Sequence, residues 1–426
     1  MINPAWLAIL KTICDLPTAP LREDYVMAWI EQYVLTLTPP GRLTCSFDRA
    51  GNLRVDHMPN ASMGAGERAP HRDSGVGSDE KPENRRHLIF EAHVDHPGFI
   101  TGEMIDRKDG LLRAEFLGGV KSSLFTGAGV RLFHPDQSSP WTLAVVDEPP
   151  KRSPGSDALD CVLRLTKTVI DISPGTIGMW DLPDAAVKGD LFTARVCDDL
   201  AGAAAMVCML HEVCDRGIAM PFTLLFTRAE EIGFIGALAA IQDATLAAES
   251  DRNQCCVIGL ENSRALPQAL LGLGPVLRVG DRTSIFSSAL TRFIKLSADD
   301  LTDAQQDFKY QRALMDGGTC NSTVFDAAGY DSAGLTLPLA NYHNMLLDDQ
   351  PLSCITSVPR TGESIGSEAI HLGDFANLVE LMLKLLERFV LYTGDHRRLQ
   401  EQLQSRLAGY SDRLYASCRV HRKMEN

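Results

Sequence analysis

Apolar residues recur every three or four positions through the first forty residues, and this spacing predicts two amphipathic helices. The first helix includes Trp6 and Ile13, and the second includes Val26 and Val34. Residues 61–84 then contain almost no large apolar side chain and are rich in Gly, Ser, Pro and charge. Such a segment cannot bury enough surface to offset the cost of ordering it, so a surface loop is predicted there.

A buried-strand pattern at residues 87–92 precedes a change in the character of the sequence. Residues 100–193 contain short alternating runs separated by Gly, Pro and Asp, with no convincing helix between them. The runs occupy residues 111–116, 130–133, 141–146 and 161–165. This pattern predicts an all-β insert.

After residue 197 the pattern returns to alternating strands and helices. Strands are predicted at Phe222–Thr227, 255–260, 293–296 and 335–337. Helices are predicted at about 200–215, 236–249, 373–392 and 397–417. Repeated strand–helix units predict an α/β fold whose mainly parallel sheet is sandwiched by helices. The chain is therefore expected to form an α/β domain from residues 1–99 and 194–426, with residues 100–193 inserted as a β domain.

Composition argues against several classes of function. The 426 residues include 41 Lys and Arg against 55 Asp and Glu, which gives a net charge of −14. This charge disfavours a nucleic-acid partner or an anionic membrane surface. No signal peptide and no membrane-spanning run is expected from the apolar segments. The eleven cysteines include no CxxC pair, which favours reduced thiols in a cytoplasmic protein.

Imidazole and carboxylate side chains stand at or soon after the ends of the predicted core elements. In an open α/β sheet, ligands bind beyond the carboxyl ends of the strands. The residues found there are His93, Asp95, Asp198, Asp199, Glu230, Glu231, Glu261 and His343. Two imidazoles with several carboxylates suit Zn²⁺, and also Co²⁺ or Mn²⁺.

The charge of this set favours two cations over one. Asp198, Glu231 and Glu261 would bring three negative charges into one cleft, where they repel one another. Two divalent ions with one bridging hydroxide would neutralise them, and such a pair makes bound water a nucleophile near neutral pH. Of the adjacent Glu230 and Glu231, one could bind metal while the other acts as general base, and spacing leaves open which.

Taken singly, each residue also has an ordinary structural interpretation. A lone His93 is more often a surface or core residue than a ligand. Residues 198–199 could cap the helix that follows them, and Glu230, Glu231 and Glu261 could be solvated carboxylates. The order and placement of the whole set favour the metal site.

Six short motifs carry a resemblance over most of the chain, outside residues 61–84 and the last thirty. They lie at residues 92–99 (AHVDHPGF), 197–202 (CDDLAG), 227–233 (TRAEEIG), 274–275 with Asp281, 317–319 (GGT) and 342–343 (YH). With these motifs the chain resembles the tetrahedral (glutamyl- and leucyl-type) aminopeptidases, a family of dinuclear zinc metallopeptidases. The resemblance implies that Asp198 bridges two metals. One metal would also bind His93 and Glu261, and the other would bind Glu231 and His343.

The resemblance also implies two supporting roles. Glu230 would be the general base, and Asp95 would accept a hydrogen bond from the ring of His93. The β insert would be the PDZ-like domain through which relatives form dimers. Three positions depart from the family pattern. Glu261 stands where Asp is usual, Leu200 stands where Arg is common, and His96 stands where an acidic or apolar residue is more frequent.

These features predict a metal-dependent aminopeptidase that acts on peptides and forms a dimer or a dimer-built cage. Two alternatives stay open from the sequence. One is a related amidohydrolase or deacylase that uses the same metals on N-acyl amino acids, and the other is a non-catalytic assembly protein with the same fold. An aminopeptidase needs a carboxylate near the substrate amine, whereas such a deacylase needs Arg or Lys near the substrate carboxylate.

Overall fold

The computed structural model describes residues 2–37, 42–59, 86–134, 140–153, 155, 157–167, 172–347, 363–394 and 396–424. The chain divides into two compact units, residues 1–391 and residues 392–426. The predicted loop at residues 61–84 lies outside the described residues. Among the described residues, no helix has the length and apolar character that crossing a membrane requires. The nine cysteines whose side chains are described are all free thiols.

Eight α-helices are present in the described part of the chain. They are α1 (Pro4–Asp15), α2 (Asp24–Thr36), α3 (Leu200–Arg216), α4 (Ile235–Gln242), α5 (Ser288–Ala304), α6 (Asn321–Ala327), α7 (Leu372–Arg388) and α8 (Arg397–Met424). Their ends follow local signals in the sequence. The side chain of Asn3 caps α1 by accepting a hydrogen bond from the Ala5 amide at 2.9 Å, and α3 ends at Gly217, whose φ of 64° is left-handed.

A mixed eight-stranded sheet forms the centre of the first unit. Its strands are β1 (Leu43–Phe47), β2 (Leu53–His57), β3 (His87–His93), β13 (Phe222–Thr227), β14 (Cys255–Arg264), β15 (Val276–Asp281), β16 (Gln311–Met315) and β17 (Asp331–Leu339). They lie in the order β1-β2-β13-β3-β14-β17-β15-β16. The four central strands are parallel to one another. All six side chains of β13 are buried, as expected for a parallel strand covered on both faces.

Helices cover this sheet. Ile89, Leu225 and Val257 form one apolar cluster with Ala237 of α4 and Phe325 of α6. Helix α3 packs against β3 and β14, and it also packs against α1 and α7. Residues of α3 from Leu200 to Leu210 are all buried, which explains why this helix is apolar around its whole circumference. The mainly parallel α/β fold predicted from the sequence is confirmed.

The insert is a closed antiparallel barrel. Its strands are β4 (Gly98–Asp106), β5 (Leu111–Leu117), β6 (Gly129–Phe133), β7 (Trp141–Val146), β8 (Lys151–Arg152), β9 (Leu159–Leu165) and β10 (Ile177–Trp180). They lie in the order β5-β4-β10-β6-β7-β9-β8, and pairing of β5 with β9 closes the ring. Phe99, Phe116, Phe125 and Trp180 fill its interior, with the rings of Phe99 and Phe116 in an edge contact at 4.8 Å. Closure leaves the barrel strands few unpaired edges.

Two small sheets connect the barrel to the rest of the unit. One contains β11 (Ala186–Lys188), β12 (Leu191–Ala194) and β20 (Glu368–His371), and the other contains β18 (Met345–Leu346) and β19 (Ser364–Ile365). Strand β12 leads directly to the Asp198 segment. Its pairing with β20 places Ala194 opposite Glu368, so a residue far along the chain lies next to that segment.

Several of the predicted elements were wrong in type or extent. The strand predicted at 335–337, for example, extends over Asp331–Leu339. Residues 293–296 are not a strand but part of α5, because Leu290, Phe293, Ile294 and Leu301 form one buried face at helical spacing. The helix predicted at 236–249 ends at Gln242. Strand β14 extends beyond its predicted end at 260, so Glu261 lies within the strand.

Candidate metal centre

The carboxyl ends of the central parallel strands bring the candidate residues together. His93 is the last residue of β3, beside the end of β13, and Glu261 lies in β14, the other neighbour of β3. Residues 230–231 lie in the loop after β13, and Asp198 directly precedes α3. His343 lies in a short turn after β17. Five side chains from distant parts of the chain therefore meet at one edge of the sheet.

The carboxylate of Asp198 lies between two groups of side chains. Its Oδ1 is 3.5 Å from Nε2 of His93, and that nitrogen is 3.8 Å from Oε1 of Glu261. Its Oδ2 is 3.7 Å from Nε2 of His343, and that nitrogen is 3.0 Å from Oε2 of Glu231. One oxygen atom of Asp198 thus faces each group, which is the arrangement that a bridging carboxylate needs.

The two imidazole rings are oriented so that Nε2 faces the cluster. Nδ1 of His343 donates a hydrogen bond to the carbonyl oxygen of Gly119 at 2.7 Å. Nδ1 of His93 donates to the carbonyl oxygen of Asp95 at 3.2 Å. Because the carbonyl oxygens hold a proton of each ring at Nδ1, Nε2 is the atom turned toward the carboxylates, as in metal-binding histidines.

The donor set fits a pair of divalent cations. Ligand atoms of His93, Asp198 and Glu261 lie within 4.8 Å of one another, and so do those of Asp198, Glu231 and His343. Among the described residues, Oδ1 of Asp198, Oε1 of Glu231 and Nε2 of His343 are buried without a hydrogen-bond partner. Buried polar atoms usually have partners, so these atoms indicate a missing ligand that accepts lone pairs from both nitrogen and oxygen.

The buried negative charges of the cluster also favour bound cations. Burial raises the pKa of Asp198 well above its usual range, and the charge of Glu261 raises it further. Burial acts to lower the pKa of His93, but the negative charge of Glu230 and the nearby carboxylate of Asp198 raise it well above its usual range. Without metal, protons therefore reduce the repulsion between carboxylates. Bound cations would replace the proton on Nε2 of His93.

Glu230 and Asp95 occupy positions beside the two groups of ligands. The side chain of Glu230 lies in a further set with His93 and Glu231, and only Glu231 of the two glutamates is grouped with Asp198 and His343. Burial raises the pKa of Glu230 well above its usual range; the charge of His93 lowers it, and that of Glu261 raises it.

Asp95 does more than the sequence predicted. Its carboxylate lies 3.4 Å from Nδ1 of His93. Its two oxygens also accept hydrogen bonds from the backbone amides of Glu230 at 2.9 Å and Glu231 at 3.0 Å. Asp95 is fully buried, and its carboxylate fixes the backbone of both glutamates, while the hydrogen bond from the His93 ring goes to its backbone carbonyl oxygen.

The sequence analysis did not identify Glu368 and Arg278. The carboxylate of Glu368 is fully buried and contacts the Asp198 and His343 segments. Arg278 is 2% exposed and lines the cavity in front of the cluster. No motif marks either residue. The one available signal is a charged side chain next to apolar residues: Arg278 lies between Leu277 and Val279, and Glu368 precedes Ala369 and Ile370.

The departures from the family pattern have clear structural positions. Glu261 is 9% exposed and reaches the cluster from within its strand. Leu200 is buried as the first residue of α3. His96 lies behind the cluster, where its Nδ1 donates to the carbonyl oxygen of Asp198 at 2.8 Å. The peptide bond between Asp198 and Asp199 is cis.

A cavity of about 570 Å³ opens in front of the cluster. It is large enough for an amino acid side chain and the adjoining peptide backbone. Its walls include Asp198, Glu230, Glu231, Glu261, His343, Gly119, Lys121, Phe234, Arg264, Leu266, Arg278, Met315, Tyr342 and Leu347. Gly119 and Lys121 follow β5, so the barrel supplies part of the wall.

Comparison with known proteins gives one family and one fold. The sequence model of the M42 glutamyl aminopeptidase family matches residues 75–348. No curated protein sequence shows a significant match to the chain.

Solved aminopeptidases share the fold at low sequence identity. The TET1 peptidase of Pyrococcus horikoshii, which can assemble into a tetrahedron or a large octahedral shell, is 19% identical with a TM-score of 0.64; the match covers 89% of this chain and 99% of that chain. A TET aminopeptidase from a marine sediment Thaumarchaeota archaeon is 19% identical with a TM-score of 0.64, covering 91% and 97%. Aminopeptidase APDkam598 of Desulfurococcus kamchatkensis is 18% identical with a TM-score of 0.64, covering 90% and 95%.

Proposed function

Because the chain belongs to the M42 glutamyl aminopeptidase family and is therefore a metal-dependent aminopeptidase, we propose that it removes N-terminal residues from peptides at a pair of divalent cations. The observation that carries this proposal is the position of Asp198, with one carboxylate oxygen facing each of two ligand groups. A pair of cations that share one carboxylate needs this geometry.

The five converging side chains would hold the cations. His93, Asp198 and Glu261 would bind one, and Asp198, Glu231 and His343 would bind the other. Bound divalent cations make water acidic enough to attack near neutral pH and polarise a carbonyl oxygen. Nitrogen and carboxylate ligands suit Zn²⁺ best, and they also suit Co²⁺ or Mn²⁺.

Glu230 would act as the general base. Its side chain lies in the cavity wall beside the ligands, and its backbone amide is held by Asp95. From that position its carboxylate can accept a proton from the attacking water and pass it to the leaving amine. Glu231, its neighbour, is left to bind metal beside His343.

The cavity also supports a preference for acidic N-terminal residues. Lys121, Arg264 and Arg278 line it together with the carboxylates. Arg278 donates to the hydroxyl of Ser263 at 3.1 Å and to the carbonyl oxygen of Gly318 at 3.3 Å, so its guanidinium is fixed in the wall. Lys121 is also paired with Glu363 at 3.0 Å and Arg278 with Asp281 at 3.7 Å. When two divalent cations neutralise the carboxylates of the wall, these cationic side chains would remain as donors to a substrate carboxylate. The name of the family points to the same substrate class.

Metal analysis with a substrate panel tests this function. The purified protein should contain two divalent cations per chain and hydrolyse Glu-p-nitroanilide faster than the Leu or Lys derivatives. The matched control is N-acetyl-Glu-p-nitroanilide, which lacks a free amine and should not be hydrolysed. Cationic side chains are also what the deacylase alternative requires, so N-acetyl amino acids belong in the panel. The proposal would be refuted if the protein hydrolysed only the N-acetyl compounds, or if it bound no metal.

We also propose that the chain assembles through the barrel. Dimerisation by a PDZ-like insert, growth of such dimers into a cage, and a cytoplasmic location are expectations from the family resemblance. The tetrahedral and octahedral assemblies of the P. horikoshii relative support a homo-oligomer. Sedimentation velocity would distinguish a monomer from a dimer and from a larger particle.

A further inference from the structure

Glu368 lies next to the metal centre but outside the wall of the cavity. It is the first residue of β20, is fully buried and does not line the cavity described above. It is therefore a buried carboxylate close to the site that has no part in the mechanism proposed so far.

The carboxylate of Glu368 accepts three backbone hydrogen bonds from two separate segments. Its Oε2 accepts from the amides of Cys197 at 2.7 Å and Asp198 at 3.0 Å. Its Oε1 accepts from the amide of His343 at 2.9 Å. One side chain thus joins the backbone of the shared carboxylate ligand to the backbone of a histidine ligand.

The His343 turn needs such support because its backbone conformation is unfavourable. His343 has a φ of 54°, and Asn341 and Asn344 on either side have φ values of 60° and 61°. Left-handed conformations are costly for residues other than glycine, although Asn tolerates them better than most. Left-handed conformations persist when the surrounding structure fixes them. The hydrogen bond from the His343 amide to Glu368 fixes the conformation of the ligand residue itself.

A second contact links the same two segments. The ring of His96 donates through Nδ1 to the carbonyl oxygen of Asp198, and its Nε2 is 3.0 Å from Oδ1 of Asn344. The Asn344 side chain donates in turn to the carbonyl oxygen of Arg195 at 2.7 Å. Glu368 therefore holds the Asp198 segment through the Asp198 amide, and His96 holds it through the Asp198 carbonyl. Both side chains also contact the His343 turn, so they fix the relative position of the two segments.

We propose that Glu368 is a positioning residue that sets the geometry of the metal pair by holding Asp198 and His343 together. This inference rests on the proposed two-metal function. Of the two ligand groups, Asp198–Glu231–His343 has two members anchored by Glu368, whereas His93–Asp198–Glu261 has one. Loss of the carboxylate should therefore weaken the first cation site more than the second.

The chemistry of the group explains why Gln cannot replace Glu368. A carboxylate offers acceptor oxygens on both arms, whereas a Gln amide offers an oxygen on one arm and an N–H donor on the other. In Glu368→Gln, either the Cys197 and Asp198 amides or the His343 amide must face a donor. A buried N–H without an acceptor is unfavourable, so one ligand segment would shift.

The matched control is Asp374→Asn. Asp374 is also buried and also accepts two backbone amides, those of Gly272 and Gly274, both at 2.7 Å. None of these residues is a proposed metal ligand. Asp374→Asn should therefore reduce stability in a similar way while leaving metal binding unchanged.

Cobalt binding to the full-length chain tests the proposal. Co²⁺ affinity is measured by competition with a chelator, and the visible absorption of bound Co²⁺ reports its ligand geometry. Supporting side chains around metal ligands typically contribute about 10- to 100-fold in metal affinity. We expect Glu368→Gln to lose Co²⁺ affinity by this factor, with the greater loss at the Asp198–Glu231–His343 site. The visible absorption spectrum of the bound Co²⁺ should also change.

Each outcome separates this inference from the proposed function. A wild-type protein that binds no Co²⁺ would refute the two-metal function itself. A wild-type protein that binds two ions, with Glu368→Gln matching it in affinity and spectrum, would refute the role of Glu368 alone. If Glu368→Gln does not fold, Glu368→Asp provides the same comparison, because it keeps both oxygens but withdraws them by one methylene. An equal loss of affinity in Asp374→Asn would show a general effect of stability instead.

Discussion

Glu91 is a buried carboxyl group in β3 of the central sheet, two residues before His93. Its Oε1 accepts hydrogen bonds from the Thr227 hydroxyl at 2.6 Å and the Asn321 side-chain amide at 2.7 Å. Its Oε2 has no partner among the described residues. A Gln at this position could keep both bonds through its amide oxygen and would carry no charge to bury.

The expected effect on stability follows from the pKa of Glu91. Burial raises this pKa from 4.5 to about 7, although the hydrogen bond from Thr227 opposes the rise. The folded protein therefore binds a proton more tightly than the unfolded chain, and stability falls as the pH rises from about 4.5 to about 7. At about 1.4 kcal/mol for each pH unit of difference, Glu91 costs about 3 kcal/mol above pH 8 and almost nothing below pH 4.5.

Urea unfolding of Glu91→Gln at several pH values checks this reasoning. The free energy of unfolding is measured from pH 5 to pH 8 in a chelator, so that metal binding does not vary with pH. The variant should match the wild type within about 1 kcal/mol at pH 5 and exceed it by up to about 3 kcal/mol at pH 8. The control is Glu103→Gln, at an exposed position of the barrel. A constant difference between Glu91→Gln and the wild type across this range would refute the argument.

Three further substitutions test the site and its packing. Glu230→Gln should lower kcat by about 100- to 10,000-fold, as expected for loss of a general base, with metal content unchanged; turnover near the wild-type rate would exclude that role. Asp198→Ala should lose both cations, and with them a metal-dependent stabilisation of about 4 kcal/mol for each cation at a thousandfold excess over its Kd. Metal analysis and thermal unfolding with and without chelator measure this, and unchanged stoichiometry would argue against the bridge. Gly202→Ala would place its Cβ 2.3 Å from Oδ1 of the buried Asp199, so the free energy of unfolding should fall by about 1–3 kcal/mol. Gly409→Ala is the control, because a Cβ there meets open space and should not destabilise the protein. Equal effects of the two substitutions would contradict the packing argument.

Elements that are buried on all sides were the easiest to predict from the sequence. Strand β13 was predicted with its observed bounds, Phe222–Thr227, because a parallel strand covered on both faces is apolar at every position. Helix α3 was predicted within one residue of its observed end for a related reason. Its apolar run is too long for a strand, and Gly217 stops it.

Short apolar runs were ambiguous. Residues 293–296 are compatible with a strand, and only the buried face of the whole α5 helix shows that they are helical. The end of β14 was also misplaced, because strand length depends on pairing. Strand β14 pairs with β17 as far as Arg264, and that partner lies far away in the sequence.

The candidate ligands were identifiable because metal chemistry restricts the residue types and the fold restricts their places. His93, Asp198, Glu231, Glu261 and His343 were predicted from imidazoles and carboxylates near strand ends, and the structure brings all five together. The individual metal-binding and catalytic roles stay predictions until metal is measured. Of the residues that hold the ligands in place, Asp95 was expected from the family resemblance. Glu368 was not identifiable, because its contacts use backbone amides that any sequence provides.

The sequence by itself determined the layered α/β fold, the all-β nature of the insert and the chemical nature of the site, since burial and ligand type are properties of individual residues and their spacing. That the insert closes into a barrel through pairing of β5 with β9 was decided by the tertiary structure. Only the tertiary structure decided which oxygen of Asp198 faces which histidine. It also decided that Asp95 fixes the backbone of both glutamates and that Glu368 joins two ligand segments. Such contacts arise when strands distant in sequence pair side by side, and no local pattern encodes a distance between residues that meet only after folding.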